Sequence, residues 1–300
     1  MPSIRDSDSA KWEYDLHTRI KHSILTDYLR PWLKILGGAG GSVVYVDAFA
    51  GRGRYNKGEP GSPLLVLDLI QAEMNRPASP LTSVECLFVE SDPANFANLQ
   101  AELGQHGASQ DPRIKIRLYP STFSAAARGI ITSIVTTGRP SFFFLDPFGY
   151  DDPPMDLVGE LLRLRRAEIL VNIMYDFISR AIGISNNPTL AATLDRLFGT
   201  ADWRKLASLV GKERERAFVQ LYRKQLKAIG AVFAVPFPMA DDHRARTLYH
   251  LVHATGKPLG ARIMKDIMVK VSTSGQLGFA GERLQGHQAL FHVDVDALPE

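Results

Sequence analysis

The sequence has a single cysteine in 300 residues, Cys86. A disulfide needs two, so an intramolecular disulfide framework is excluded, as is any metal site built from several cysteines. Long hydrophobic runs are missing too. No stretch approaches the roughly 18–20 uncharged apolar residues that cross a bilayer. The opening Met1-Pro2-Ser3-Ile4-Arg5-Asp6 lacks the apolar segment of a secretory signal. Charge of one sign is not in large excess: 35 Lys and Arg against 32 Asp and Glu leave +3. That balance permits a nucleic-acid partner without requiring one, because binding depends on where charge clusters. Basic clusters do occur at 163–166 and across 204–227, the second mixed with Glu213 and Glu215 as on a solvated helix face. No repeat or low-complexity tract is present. Together these absences predict a cytoplasmic protein without a membrane segment.

What remains is globular. Apolar residues make up 45% and charged residues 22%, which excludes whole-chain disorder. The length suits one large α/β domain, or one core with an appended subdomain. Short runs rich in Val, Ile, Phe and Tyr predict strands over 43–48, 84–90, 114–119, 141–145 and 169–174. Helical stretches at 62–75, 94–103, 123–136 and 155–166 alternate with them, the signature of a mostly parallel sheet covered on both faces. Asp92-Pro93 supplies a capping side chain and a first-turn proline for the second helix. Further on come a helix at 214–229, strands at 231–236 and 247–254, and a helix at 259–271. Pro236 and Pro238 are expected to stop the first of these strands from continuing as a regular ladder. The stretch 179–211 reads as a helical insertion, a lid or substrate platform. The organisation expected is a helical segment at 1–40, a Rossmann-like domain at 41–271 and a tail at 272–300.

Three strand ends carry the candidate chemistry. In Val46-Asp47-Ala48-Phe49-Ala50-Gly51-Arg52-Gly53, an apolar strand ends in an acid and enters a glycine turn. Glycine permits positive φ and lets a ligand approach the backbone with no Cβ in the way. The turn lacks the Gly-Lys-Ser/Thr ending of a phosphate loop and the third glycine of a dinucleotide fingerprint. In Phe88-Val89-Glu90-Ser91, a strand again ends in a carboxylate, which can accept both hydrogen bonds of a ribose diol or cap the next helix. In Phe142-Phe143-Phe144-Leu145-Asp146-Pro147-Phe148-Gly149-Tyr150, an aromatic strand ends at an Asp-Pro step. The lone pair of an exocyclic amine on a base is conjugated into the ring, so the amine is a poor nucleophile. A carboxylate and a backbone carbonyl accepting its N–H groups would stabilise the charge that grows on nitrogen. Phe148 or Tyr150 would stack on the base, worth about 1–3 kcal/mol.

Other chemistries lack their residues. A Gly-x-Ser-x-Gly nucleophile elbow is absent. His243, His250 and His253 form no helical His pair, and on one strand His250 and His253 face opposite sides, so no metal is expected. Lys21 and His22 either close over the cofactor or target, or sit at the surface.

In order, the Asp47–Gly53 turn, Glu90 and Asp146-Pro147-Phe148-Gly149 resemble the signature sites of class I S-adenosylmethionine-dependent methyltransferases. More narrowly, the chain is similar to the three-Cys-motif partner (TcmP) family. That similarity rests on Lys21-His22-Ser23-Ile24-Leu25 with Tyr28-Leu29 and Trp32, the 46–53 turn, Gly61-Ser62-Pro63, Asp146-Pro147-Phe148-Gly149, Pro258-Leu259-Gly260 and Met264-Lys265. Lys21-His22 and the Ala50–Tyr55 turn are also similar to those of a bacterial ribosomal-RNA adenine-N6 methyltransferase group. That group carries Asp-Pro-Pro-Tyr where this chain has Asp-Pro-Phe-Gly, a motif that looks like that of tRNA guanine-N2 methyltransferases. The resemblance implies a seven-stranded Rossmann-like fold and S-adenosyl-L-methionine as cofactor. It implies cofactor contacts at Lys21, Asp47, Phe49, Gly51, Gly53, Glu90 and Ser91, and acceptor contacts at Asp146, Pro147, Phe148 and Tyr150. The expected substrate is nucleic acid, RNA in preference to DNA. A separate three-cysteine protein is the expected partner, and a non-catalytic partner role or a small-molecule methyltransferase are the alternatives.

Overall fold

The computed structural model describes residues 12–38, 41–147, 153–184, 187–240 and 247–273. Phe148, Tyr150, His243 and the tail from 274 lie outside the described residues. Seven strands form one sheet in the order β3-β2-β1-β4-β5-β7-β6. They are β1 (Ser42–Asp47), β2 (Ser83–Val89), β3 (Ile114–Tyr119), β4 (Ser141–Leu145), β5 (Ala167–Ile173), β6 (Phe233–Ala240) and β7 (Thr247–Thr255). The first five run parallel, and β7 lies antiparallel to both β5 and β6. This is the mostly parallel, Rossmann-like fold expected.

Strand residues alternate between two separate cores. Val44, Val46, Phe143, Leu145, Ile169 and Val171 face one, and Val43, Tyr45, Phe142, Phe144 and Leu170 face the other. With both faces covered, a strand must be apolar at every position, which is why Phe142-Phe143-Phe144 fits only a central strand. On the second face lie α1 (Leu16–Gly38), α2 (Ser62–Met74), α3 (Pro93–Gln105) and α9 (Pro258–Thr273). On the first face lie α4 (Phe123–Thr137), α5 (Met155–Leu162), α6 (Tyr175–Gly183), α7 (Pro188–Phe198) and α8 (Gly211–Ala228). Asp92 caps α3 by accepting the Asn95 N–H at 2.8 Å, with Pro93 in the first turn. The 179–211 stretch sends Ile182, Leu194, Phe198, Trp203 and Leu206 into the first core.

Two sequence expectations are corrected. Helix α5 stops at Leu162 instead of running to residue 166, because the chain turns there and Arg166 takes φ 62° to enter β5. The basic cluster 163–166 is therefore a turn. Strand β6 runs straight through Pro236 and Pro238. Among the described residues it is an edge strand pairing only with β7, and two prolines two residues apart direct their missing N–H groups to one side. The Ala234 carbonyl, on that same side of the strand, accepts from Arg223 Nε at 3.1 Å. The prolines thus remove donors that no strand would have met.

Candidate active site at the carboxyl edge of the sheet

The strand order reverses between β1 and β4, and in open α/β sheets the crevice for a ligand opens at that point. Asp47 pairs with Phe88 on one side and Phe144 on the other. Glu90 and Asp146 therefore stand two residues past the same rung, on the strands flanking β1. At about 4.8 Å per strand spacing they sit on the order of 10 Å apart along the edge.

The glycine turn between them has the geometry its sequence demands. Gly51 and Gly53 adopt φ 66° and 90°, a region that side chains rarely enter. Asp47 is fully buried beneath the turn. It accepts from Ser62 Oγ at 2.6 Å and from the Phe49 N–H at 3.3 Å, tying β1 to the start of α2. Burial pushes its carboxyl up to about 7, against the pull of those two donors. Its contacts make it a brace under the turn. Phe49 leans toward α4, its ring 6.3 Å from that of Phe123.

Glu90 is half-buried, and its Oε1 accepts the Asp92 N–H at 2.7 Å. Backbone donors at Gly51 and Ser91 also reach it, while burial raises it above the ordinary carboxylate value. A carboxylate offers about four lone-pair sites, so capacity is left for hydroxyl donors. Ser91 is exposed beside it.

Asp146 leaves the end of β4, followed by a buried Pro147. Its Oδ2 lies 2.5 Å from Lys21 Nζ, and its Oδ1 accepts from Asn172 Nδ2 at 2.7 Å. Lys21 reaches down from α1 and is only 8% exposed, with its ammonium 5.8 Å from the centre of the Tyr249 ring. The neighbouring His22 is neutral: burial, then the Lys21 ammonium, push it down to about 3 although Asp146 pulls the other way. Aromatic rings line this end. Tyr14 lies 5.0 Å and His22 5.9 Å from the Tyr55 ring, and Trp12 lies 6.1 Å from it. A Cβ at Gly51 would come within 2.9 Å of the Trp12 indole, so that ring closes against the turn.

The sequence-predicted residues thus gather at one edge, apart from Phe148 and Tyr150, which lie outside the described residues. Sequence reasoning passed over Asn172, Trp12, Tyr14 and Tyr249. Asn172 had a signal, a lone amide inside the apolar strand Ile169–Ile173. Tyr249 had none, because a single tyrosine on an apolar strand reads as core. Among the described residues no group of three His, Cys, Asp or Glu side chains is arranged to hold a metal. His250 and His253 do face opposite sides, the first toward Tyr175 and the second toward Tyr28. No helix among the described residues is long and apolar enough to cross a membrane.

No known family's model matches the chain, and no curated protein matches it. Solved structures do. A Legionella pneumophila protein (LPL1258, family-model DUF519) is 11% identical over 89% of this chain and 94% of its own, with a TM-score of 0.51. An O-methyltransferase from Bacillus cereus in complex with SAH is 12% identical over 77% of this chain and 80% of its own, with a TM-score of 0.40. The delta-N METTL16 MTase domain is 12% identical over 78% of this chain and 83% of its own, with a TM-score of 0.37. At such identity the Legionella protein establishes a shared fold and nothing finer.

Proposed function

We propose that this chain is an S-adenosylmethionine-dependent methyltransferase that modifies an exocyclic amino group of a nucleic-acid base, adenine N6 or guanine N2, in RNA in preference to DNA. The observation that carries the reading is the convergence of Glu90, the Gly51–Gly53 turn and the doubly held Asp146 at the point where the strand order reverses. The donor set fits an adenosyl cofactor. Glu90 has acceptor capacity for the ribose hydroxyls, and the positive-φ glycines offer backbone without side chains. Lys21 and Ser91 border that space, and Phe49 and Asp47 support it from behind and below. The cofactor, when bound, supplies a methyl group on a sulfonium that is already activated for transfer.

The chain's own residues then align and stabilise. Asp146 and the Pro147 backbone accept the N–H groups of the amine, and the carboxylate opposes the positive charge growing on nitrogen. Lys21 pairs with Asp146 and yields its place to the amine, with the face of Tyr249 beside it to receive the ammonium. Asn172 fixes the carboxylate while this exchange occurs. Tyr55 and Tyr14, with Phe148 and Tyr150, frame the base.

Membership of the TcmP family, and with it a three-cysteine partner, is supported by the sequence motifs. A non-catalytic role beside that partner is the second reading, favoured by the Trp12 ring closed on Gly51 and by the Lys21 ammonium that already occupies Asp146.

Transfer of a labelled methyl group from the cofactor into total RNA and total DNA separates these readings. Incorporation into RNA that falls at least about a hundredfold in Asp146→Asn, with binding of S-adenosylhomocysteine preserved, is expected. Cofactor binding with no transfer to either nucleic acid would remove the nucleic-acid reading, and unchanged transfer by Asp146→Asn would remove Asp146 from the reaction.

A further inference from the structure

At the opposite edge of the sheet, where the parallel strands begin, α1, the start of β5 and the first turn of α9 enclose a cavity of about 310 Å³. That is within the size range of small-molecule sites. Its walls are chiefly apolar, from Leu36, Leu164, Leu259 and Ile263. Three polar features are left without partners among the described residues. Trp32 lines the cavity, is 3% exposed, and its indole N–H finds no acceptor. An unsatisfied buried donor costs about 1–3 kcal/mol, so it marks a place where an acceptor belongs. Arg166 and Lys257 also line the cavity, and neither side chain makes an ion pair or hydrogen bond. Arg166 holds φ 62°, a strained conformation of the kind found at ligand sites. The N-terminus of the 16-residue α9 opens beside them, adding backbone N–H groups and the positive end of the helix dipole.

The cavity also contains a carboxylate, that of Glu168, which limits what can enter. Glu168 Oε2 accepts from Tyr28 and lies 2.9 Å from His253 Nε2, so its charge is answered from within the protein. An anionic group is excluded from its side and welcome on the side of Arg166 and Lys257.

We propose that this cavity is a second ligand site, for a small amphipathic organic acid whose apolar body fills the space between α1 and α9. The carboxylate meets Lys257, Arg166 and the start of α9. The site is independent of the reaction proposed at the other edge.

Calorimetric titration of the protein with 2-naphthoate and with its neutral counterpart 2-naphthamide tests the proposal. Naphthoate binding is expected, about tenfold tighter than naphthamide, as one charge-assisted contact provides. Lys257→Gln removes an exposed ammonium and narrows that difference. Gly256→Phe fills the mouth, where a Cβ meets no atom within 4 Å, and abolishes naphthoate binding without disturbing the fold. Equal binding of acid and amide, no binding of either, or naphthoate binding unchanged by Gly256→Phe would each overturn it.

Discussion

At the scale of single residues, Asp47 illustrates why position outweighs type. The sequence marks it as an acid at a strand end, the same description that fits Glu90 and Asp146. Pairing with Phe88 and Phe144 keeps Asp47 within the sheet, while the other two project past it. Its proton uptake then becomes a stability effect. An ordinary carboxylate titrates near 3.8 and the folded Asp47 at about 7. Between those values the folded state holds a proton that the unfolded state has lost, so stability from this group is present below pH 4 and is lost as pH rises to 7. The slope reaches at most about 1.4 kcal/mol per pH unit. Thermal denaturation from pH 4.5 to 7 is expected to show a steeper fall for the wild type than for Asp47→Asn. Parallel curves would contradict the burial argument.

At the scale of elements, motifs that chemistry does not explain find packing reasons. Pro258-Leu259-Gly260 begins α9, and Gly260 lies directly over the Tyr28–Glu168–His253 network. A Cβ there would stand 2.8 Å from the Tyr28 hydroxyl and 2.9 Å from Glu168 Oε2, both buried and fixed. Gly260→Ala is therefore expected to destabilise by about 1–3 kcal/mol in urea unfolding, whereas Gly129→Ala, inside α4 where a Cβ meets nothing, is expected to stabilise by about 0.5–1 kcal/mol. The edge strand supplies a second case. Pro236 and Pro238 remove two donors from the outer side of β6, a defence against pairing with another chain. Replacing both by valine restores two outward N–H groups. Sedimentation should then show concentration-dependent self-association with little loss of monomer stability; a monodisperse monomer would mean the prolines serve another purpose.

At the scale of the whole molecule, the sheet was the most legible part of the sequence. Strands 114–119 and 141–145 end where expected, the second because burial on both faces leaves it apolar from end to end. Strand β6 was the least legible, since nothing local says that a strand will have only one neighbour. Arg166 was hidden for a similar reason: a left-handed non-glycine residue follows from how α5 must turn into β5, which no spacing encodes. At the candidate site, the strand-end acids were visible because each breaks an apolar run. The partners that give them meaning were not. Lys21 meets Asp146 from α1, and Asn172 from β5, across 125 and 26 positions of sequence. Trp12 closes on Gly51 from a segment with no apolar period of its own. Contacts of this kind arise from topology, and they decide whether three acids in a sequence become one site.

The central claim is that Glu90 and the glycine turn form a cofactor cradle at the carboxyl edge. Calorimetric titration with S-adenosylhomocysteine, run on the wild type and on Glu90→Ala, addresses it most directly. One-to-one binding that weakens at least about tenfold in the variant, equivalent to some 1.4 kcal/mol for lost carboxylate contacts, is the predicted result. No binding by a folded wild-type protein, or equal binding by both, would contradict it.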